Sequence, residues 1–170
     1  MTFIRRELFG NVDVRFNINI PNPMIYLIFK HAHSLTRWLL LASLIATIAF
    51  ALYSIISKKD KNSSGRQLSR ITFSLSQFQL SFGILLYVIS PKVVFSGESM
   101  SSPILRFFLV EHALGMLIAT ALIMVGYIRA KKAGPTPRST RQVFWYYLIS
   151  LILILAMIPW PSRPFGGQWF

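Results

Sequence analysis

Three histidines are the side chains of this sequence best suited to hold a metal or a cofactor. His31 and His33 open the first long apolar run, and His112 opens another, directly after Glu111. Neutral imidazole is a common ligand of transition metals and of haem iron. Two histidines from facing helices, with arginines near the water, would therefore suit a b-type haem.

Arginines and one acid accompany these histidines. Arg37 lies four residues after His33, so the two share a helix face. Ionisable groups inside or at the edge of a membrane are costly, and are a functional hypothesis by default. The expected cofactor site comprises His31, His33, Arg37, Arg106, Glu111 and His112, with Arg163 as a further cation. In the alternative interpretation, the histidines only cap helix ends and Glu111 pairs with Arg37.

The composition indicates an integral membrane protein. Of the 170 residues, 54% are apolar and 14% are charged, and the mean hydropathy is +0.53. A soluble domain carries roughly 25% charged residues. The apolar residues fall into runs of about 20, the length that crosses a hydrocarbon core. The absence of cysteine excludes disulfides, thiolate metal sites and covalent haem attachment.

Basic residues are concentrated in two loops, 58–70 and 129–141, which together carry ten of the 18 lysines and arginines. Such a bias is typical of cytoplasmic loops and sets orientation. It explains the net charge of +13 without nucleic acid as a partner, and anionic lipid head groups are the expected contact. The predicted spans are about 24–57, 71–90, 103–128 and 142–160.

These features predict an all-α fold, an integral membrane antiparallel four-helix bundle with both termini on the outer side. Residues 24–164 form the four-span membrane domain, and residues 165–170 a carboxy-terminal tail. Residues 1–23 are expected to be a loosely ordered amino-terminal tail. Alternatively, translation begins at Met24, directly before the first apolar run.

Helical periodicity places the two first-span histidines on opposite faces, about 200° apart. The face below His31 carries three small residues that favour close helix packing, Ala42, Ala46 and Ala49. His31 therefore shares the expected packing face, whereas His33 shares a face with Arg37. Periodicity alone leaves both histidines open as ligands.

The third span carries small residues in register with its histidine. His112, Gly115, Ala119 and Gly126 align on one face, so we expect a neighbouring helix to approach there. The small side chains at 115 and 119 would also leave room for a flat macrocycle. In the second span, Gln77 and Gln79 are expected to form hydrogen bonds between helices. The reason is that glutamine at membrane depth usually faces protein, where its amide finds a hydrogen-bond partner.

Four motifs carry a resemblance to a known family. They are His-Ala-His-Ser-Leu-Thr-Arg-Trp at 31–38, Gln-Leu-Ser-Phe-Gly-Ile-Leu-Leu-Tyr-Val-Ile-Ser-Pro at 79–91, Arg-Phe-Phe-Leu-Val-Glu-His at 106–112 and Ile-Pro-Trp-Pro at 158–161. Over residues 24–164 the chain resembles small bacterial four-helix membrane proteins that are usually labelled cytochrome b-like. Family members often have a histidine where this chain has Gln77, which removes one candidate ligand.

The resemblance implies one b-type haem at most, near the outer face, with His112 as the best iron ligand and His33 or His31 as its partner. It also implies the bacterial inner membrane as location. If the protein transfers electrons, a quinone or a membrane redox protein is the expected partner. No nucleophile–base pair, phosphate loop or metalloprotease motif is visible. The expected role is therefore electron transfer rather than stand-alone catalysis. The alternative is a structural or accessory subunit of a larger membrane complex or oligomer.

Overall fold

Four long helices make up most of the structure, a computed structural model that describes residues 23–58 and 62–162. The helices are α1 (Pro23–Ser57), α2 (Asn62–Ile89), α3 (Pro103–Ala133) and α4 (Pro137–Met157). Each is long and apolar enough to cross a membrane. The predicted all-α architecture with four spans is confirmed. The expectations for the two terminal tails and for Arg163 fall outside the described residues.

The two basic connections differ from each other. Helix α2 already begins at Asn62, so residues 62–70 are helical and the expected loop over 58–70 was wrong in its extent. The second connection is the predicted break. Gly134 leaves the helical conformation with φ 66°, and the hydroxyl of Thr136 accepts a hydrogen bond from the backbone N–H of Ser139. Pro137 then occupies the first turn of α4, where its missing N–H costs nothing.

Neighbouring helices in the sequence pack side by side, and α4 closes the bundle by packing against α1. Contacts between α1 and α2 run in opposite directions, since Thr36 meets Gln79 and Thr47 meets Thr72. Between α3 and α4, Gly115 likewise approaches Met157 and Gly126 approaches Tyr146. The bundle is therefore antiparallel. One end holds the two basic connections, and the other holds His33, His112, the start of α1 and the end of α4. We call these the basic end and the histidine end.

The bundle interior has an apolar centre and a polar layer towards the basic end. The centre contains Leu40, Leu41, Leu44, Ala119, Ile123, Val143, Tyr147, Ile154 and Ile158. In the polar layer, the hydroxyls of Thr47 and Thr72 pair at 2.8 Å, and the Tyr147 hydroxyl donates to the backbone carbonyl of Ser69 at 3.0 Å. Such bonds join helices that share no hydrophobic driving force inside a lipid bilayer.

Candidate functional site

A hydrogen-bonded group joins α1 to α2 at the histidine end. The Gln79 amide contacts two side chains of α1: its nitrogen lies 3.1 Å from His33 Nε2, and its oxygen accepts from the Thr36 hydroxyl. Because an amide N–H can only donate, His33 Nε2 accepts and carries the lone pair of the neutral ring. The interhelical role expected for Gln79 is confirmed.

The other nitrogen of this ring has no such partner. His33 Nδ1 is buried, without a hydrogen-bond partner in the described part of the chain. Leaving a buried donor unsatisfied costs about 1–3 kcal/mol. The ring also lies close to the backbone of α2, since a Cβ added to Gly83 would stand 3.4 Å from His33 Cε1. His33 is therefore held tightly between two helices.

His112 is held by α4 in a different way. Its Nδ1 lies 2.8 Å from the backbone carbonyl oxygen of Met157. A carbonyl can only accept, so Nδ1 carries the proton and donates. In the neutral imidazole, Nε2 then keeps its lone pair. Metal-binding histidines commonly donate their second N–H in this manner, which fixes both ring orientation and tautomer.

The turn before His112 is wider than an α-helix. Within α3, residues Pro103–Arg106 are α-helical, Phe107–Glu111 form a π-helical turn, and the α-helix resumes at His112. The Tyr87 hydroxyl of α2 donates to the Leu109 carbonyl in this turn at 2.9 Å. Single π turns inside α-helices are rare and are often found at functional sites. This one sets the rotation at which His112 enters the bundle.

His33 of α1 and His112 of α3 lie at the same end of the bundle, and Arg37 follows His33 by one helical turn on α1. The Arg37 guanidinium also donates to the Ser34 hydroxyl at 3.1 Å and lies 5.4 Å from the Trp38 ring centroid. These three residues, which were expected at one site, all lie at the histidine end.

Two further expected site residues pair with each other instead. Arg106 Nε lies 2.9 Å from Glu111 Oε1, and both side chains are nearly half exposed. The five-residue separation of this ion pair matches the wide π turn between the two positions. The sequence-based alternative joined Glu111 to Arg37, whereas the structure joins Glu111 to Arg106. Since exposed ion pairs contribute about 0–1 kcal/mol, this contact orients the two side chains more than it stabilises the fold.

The packing face expected for the first span was wrong. Ala42, Ala46 and Ala49 are exposed, and so is His31. The buried face of α1 instead carries Ser34, Leu40, Leu41, Leu44, Thr47, Ala51 and Ser54. In a helix that is apolar all round, small residues do not reveal which side packs. His33 is thereby placed at the interior and His31 outside it.

The small residues below His112 do face a neighbour, as predicted, but they do not leave open space. Gly115, Ala119 and Gly126 are buried. A Cβ added to Gly115 would stand only 2.5 Å from Met157 Cγ, so the Met157 side chain fills the gap. The expectation that a flat macrocycle lies over Gly115 is therefore wrong, because α4 occupies that surface.

Gln77 behaves differently from Gln79. Its amide nitrogen donates to the hydroxyl of its own neighbour, Ser76, at 3.3 Å. On the same stripe of α2, Ser74 and Ser81 are exposed, and Gln77 is half-buried. The interhelical bond expected for Gln77 is not what the structure has. The stripe lies on the outer surface of the bundle, whereas Gln79 and Gly83 face α1.

A lysine in the connection between α2 and α3 completes the histidine end. Lys92 is half-buried, and its ammonium group lies 4.8 Å from the Phe108 ring centroid. Burial, and secondarily the charge of Lys30, lower the pKa of Lys92. The ring of Phe108 is in turn 6.2 Å from the His112 ring. This cation was not among the residues expected at the site.

Comparison of the chain with protein-family models, with curated proteins and with solved structures finds no match. Sequence patterns identified His33, His112 and Arg37, but four participants were missed: Met157, Thr36, Lys92 and the π turn. Met157 contributes through its backbone carbonyl, which no residue type signals. The π turn depends on how α3 packs against α2.

Proposed function

We propose that this protein holds one b-type haem at the histidine end of the bundle, with His112 and His33 as axial ligands, and serves in electron transfer. The observation that supports it best is the hydrogen bonding of the two imidazole rings. The Nε2 lone pair of His112 is available, and that of His33 accepts a hydrogen bond from the Gln79 amide. The two rings come from different helices, α3 and α1. Haem iron takes its protein ligands through such lone pairs.

The number of donors supports haem over a bare metal ion. In the described residues, no group of three or more His, Cys, Asp or Glu is placed to hold a metal. Structural and catalytic zinc sites need three or four protein ligands. A porphyrin supplies four nitrogens of its own, so two imidazoles are enough. The haem would supply one-electron redox chemistry, while the chain would supply the ligands, their orientation and an apolar setting.

The protein side of this site has defined tasks. The Met157 carbonyl keeps the proton of His112 on Nδ1, so that Nε2 stays free for iron. Gln79 holds the His33 Nε2 nitrogen, and iron binding there would take the place of the Gln79 N–H. Arg37, one helical turn from His33, would be the cation that pairs with a propionate. The resemblance to cytochrome b-like proteins agrees with this assignment.

The test is haem binding by the full chain in detergent. Haem titrated into the purified protein should give a Soret band that saturates at one haem per chain, and reduction should produce the sharp visible bands of a low-spin b-type centre. A matched titration of the detergent alone gives the background. If the protein shows no saturable Soret change, the haem proposal is wrong.

A second candidate, an accessory subunit of a membrane complex, is favoured by the outer stripe of α2. Ser74, Gln77 and Ser81 expose polar groups on a surface that lipid would otherwise cover. Polar side chains at membrane depth usually face protein. A colourless protein that co-purifies with larger partners from native membranes in mild detergent would support this candidate. The haem proposal expects a coloured protein whether or not partners are present.

We also propose that the basic end faces the cytoplasm of a bacterial inner membrane, with both termini and the histidines outside. The support is the concentration of lysine and arginine at the basic end. Single cysteines introduced as Ser101→Cys and Lys132→Cys lie on exposed sites at opposite ends of the bundle. A membrane-impermeant thiol reagent should label intact cells through position 101 only, and both positions after lysis. Labelling through position 132 alone in intact cells would show that the protein has the opposite orientation.

A further inference from the structure

A cavity at the basic end is not used by the haem site. It has a volume of about 550 Å³ and opens between all four helices, far from His33 and His112. Ligand-binding pockets commonly fall between about 300 and 1,000 Å³. The cavity is therefore large enough for a small ligand or for the head group of a larger one.

The rim of the cavity is cationic. Arg66 and Arg70 line it from α2 and Lys131 lines it from α3, and all three side chains are exposed. The two arginines are four residues apart, so they lie on one helix face. None of the described residues that line the cavity is acidic. Arg70 and Lys131, with no acidic residue among the described residues of the lining, favour an anionic ligand.

Deeper in the cavity the lining offers hydroxyl groups. Buried side chains of Thr47, Ser54, Ser69 and Ser139 line it. Three of these hydroxyls already donate their protons within the bundle, Thr47 to the Ser43 carbonyl, Ser69 to the Tyr147 hydroxyl and Ser139 to the Thr136 carbonyl. Among the described lining residues, the Ser54 hydroxyl remains to donate to an anion that has passed the cationic rim. The amino-terminal turns of α2 and α4 also reach the cavity, through Gly65 and Ser139. The positive ends of both helix dipoles add to the charge of the rim.

We infer that this cavity binds a phosphate group, with Arg70 and Lys131 as its principal charged contacts. A phosphate has the negative charge for the rim and several acceptor oxygens for the Arg70 guanidinium, the Lys131 ammonium group and the Ser54 hydroxyl, and arginine pairs with it through two parallel hydrogen bonds. The phosphate could belong to a membrane lipid or to a soluble phosphate compound. The inference is independent of the haem, because the cavity and the histidines lie at opposite ends.

The experiment measures binding of two probes to the full chain in a neutral maltoside detergent. One probe is inorganic phosphate, and the other is a short-chain phosphatidic acid, below its micelle concentration. Binding is followed by equilibrium dialysis of the labelled probe and by the shift in melting temperature. Saturable binding of the lipid with none of inorganic phosphate assigns the site to lipid head groups. Saturable binding of inorganic phosphate that the lipid does not improve assigns it to soluble phosphate.

Two variants and one matched control make the test specific. Arg70→Gln and Lys131→Gln should each weaken binding of the effective probe about tenfold, because each removes a charge-assisted contact. Arg138→Gln removes the same charge from an exposed side chain at the same end, but Arg138 does not line this cavity. It should change binding less than about twofold. Equal weakening by all three variants, or no saturable binding of either probe to the wild type, would overturn the inference.

Discussion

Replacement of His112 with alanine should abolish the Soret band of the haem-supplied protein and its reduced-minus-oxidised signal. The reason is geometric. The Met157 carbonyl fixes the His112 ring with its Nε2 lone pair free, and the π turn before it sets the rotation of the side chain. No other histidine of the described chain lies on α3. Loss of His112 therefore removes one of the two proposed axial ligands.

The other two histidines provide graded comparisons in the same absorbance measurement. His33→Ala should convert a six-coordinate low-spin spectrum to a five-coordinate one and weaken haem retention, because His33 is the proposed partner ligand. His31→Ala is the matched control, since His31 is exposed outside the buried face of α1. It should leave the spectrum unchanged. A six-coordinate spectrum in His112→Ala, or a loss of haem in His31→Ala, would show that the ligands are assigned wrongly.

Replacement of Gly126 with leucine should produce the largest loss of stability. A Cβ at this position would stand 2.6 Å from Tyr146 Cβ, an atom fixed to the backbone of α4. The two helices would have to separate along their contact, and overpacking of this kind costs about 1–3 kcal/mol or more. We expect a leucine at 126 to reach the upper part of that range, about 3 kcal/mol, and to lower the melting temperature in detergent.

Gly97→Leu is the matched control for this prediction. Gly97 is exposed, and a Cβ added there would meet no atom within 4 Å. The same substitution should therefore leave the melting temperature nearly unchanged. Gly115→Leu should fall between the two, because the atoms it would meet belong to the flexible side chain of Met157. Equal melting temperatures for the variants at 97 and 126 would contradict the close approach of α3 and α4.

The sequence by itself determined the fold class of this protein and its number of long helices. Four apolar runs of membrane length require four helices, because inside lipid every backbone polar group must be satisfied within its own segment. The Gly-Pro-Thr-Pro sequence at 134–137 had to end one helix and start another. The residue types also identified the chemistry that is available, since only three histidines exist, two at the start of the first apolar run and one at the start of another.

Only the tertiary structure decided which side of each helix is buried. Helix α1 is apolar on all sides, so the alanines below His31 were as reasonable a packing face as the side that carries His33. Contacts with α2 and α4 select the face with Ser34 and Leu44, and they turn His31 outwards. The Gln79 amide then meets His33, a pairing between residues 46 positions apart.

The environment of His112 likewise depends on elements remote in the sequence. Its hydrogen-bond partner is a backbone carbonyl 45 residues away, and the turn before it is tied to Tyr87 of α2. The small residues Gly115 and Ala119 correctly indicated close packing, but their spacing is the same whether a cofactor or a side chain fills the gap. The position of Met157 on α4 decides that question, and periodicity within α3 carries no information about it.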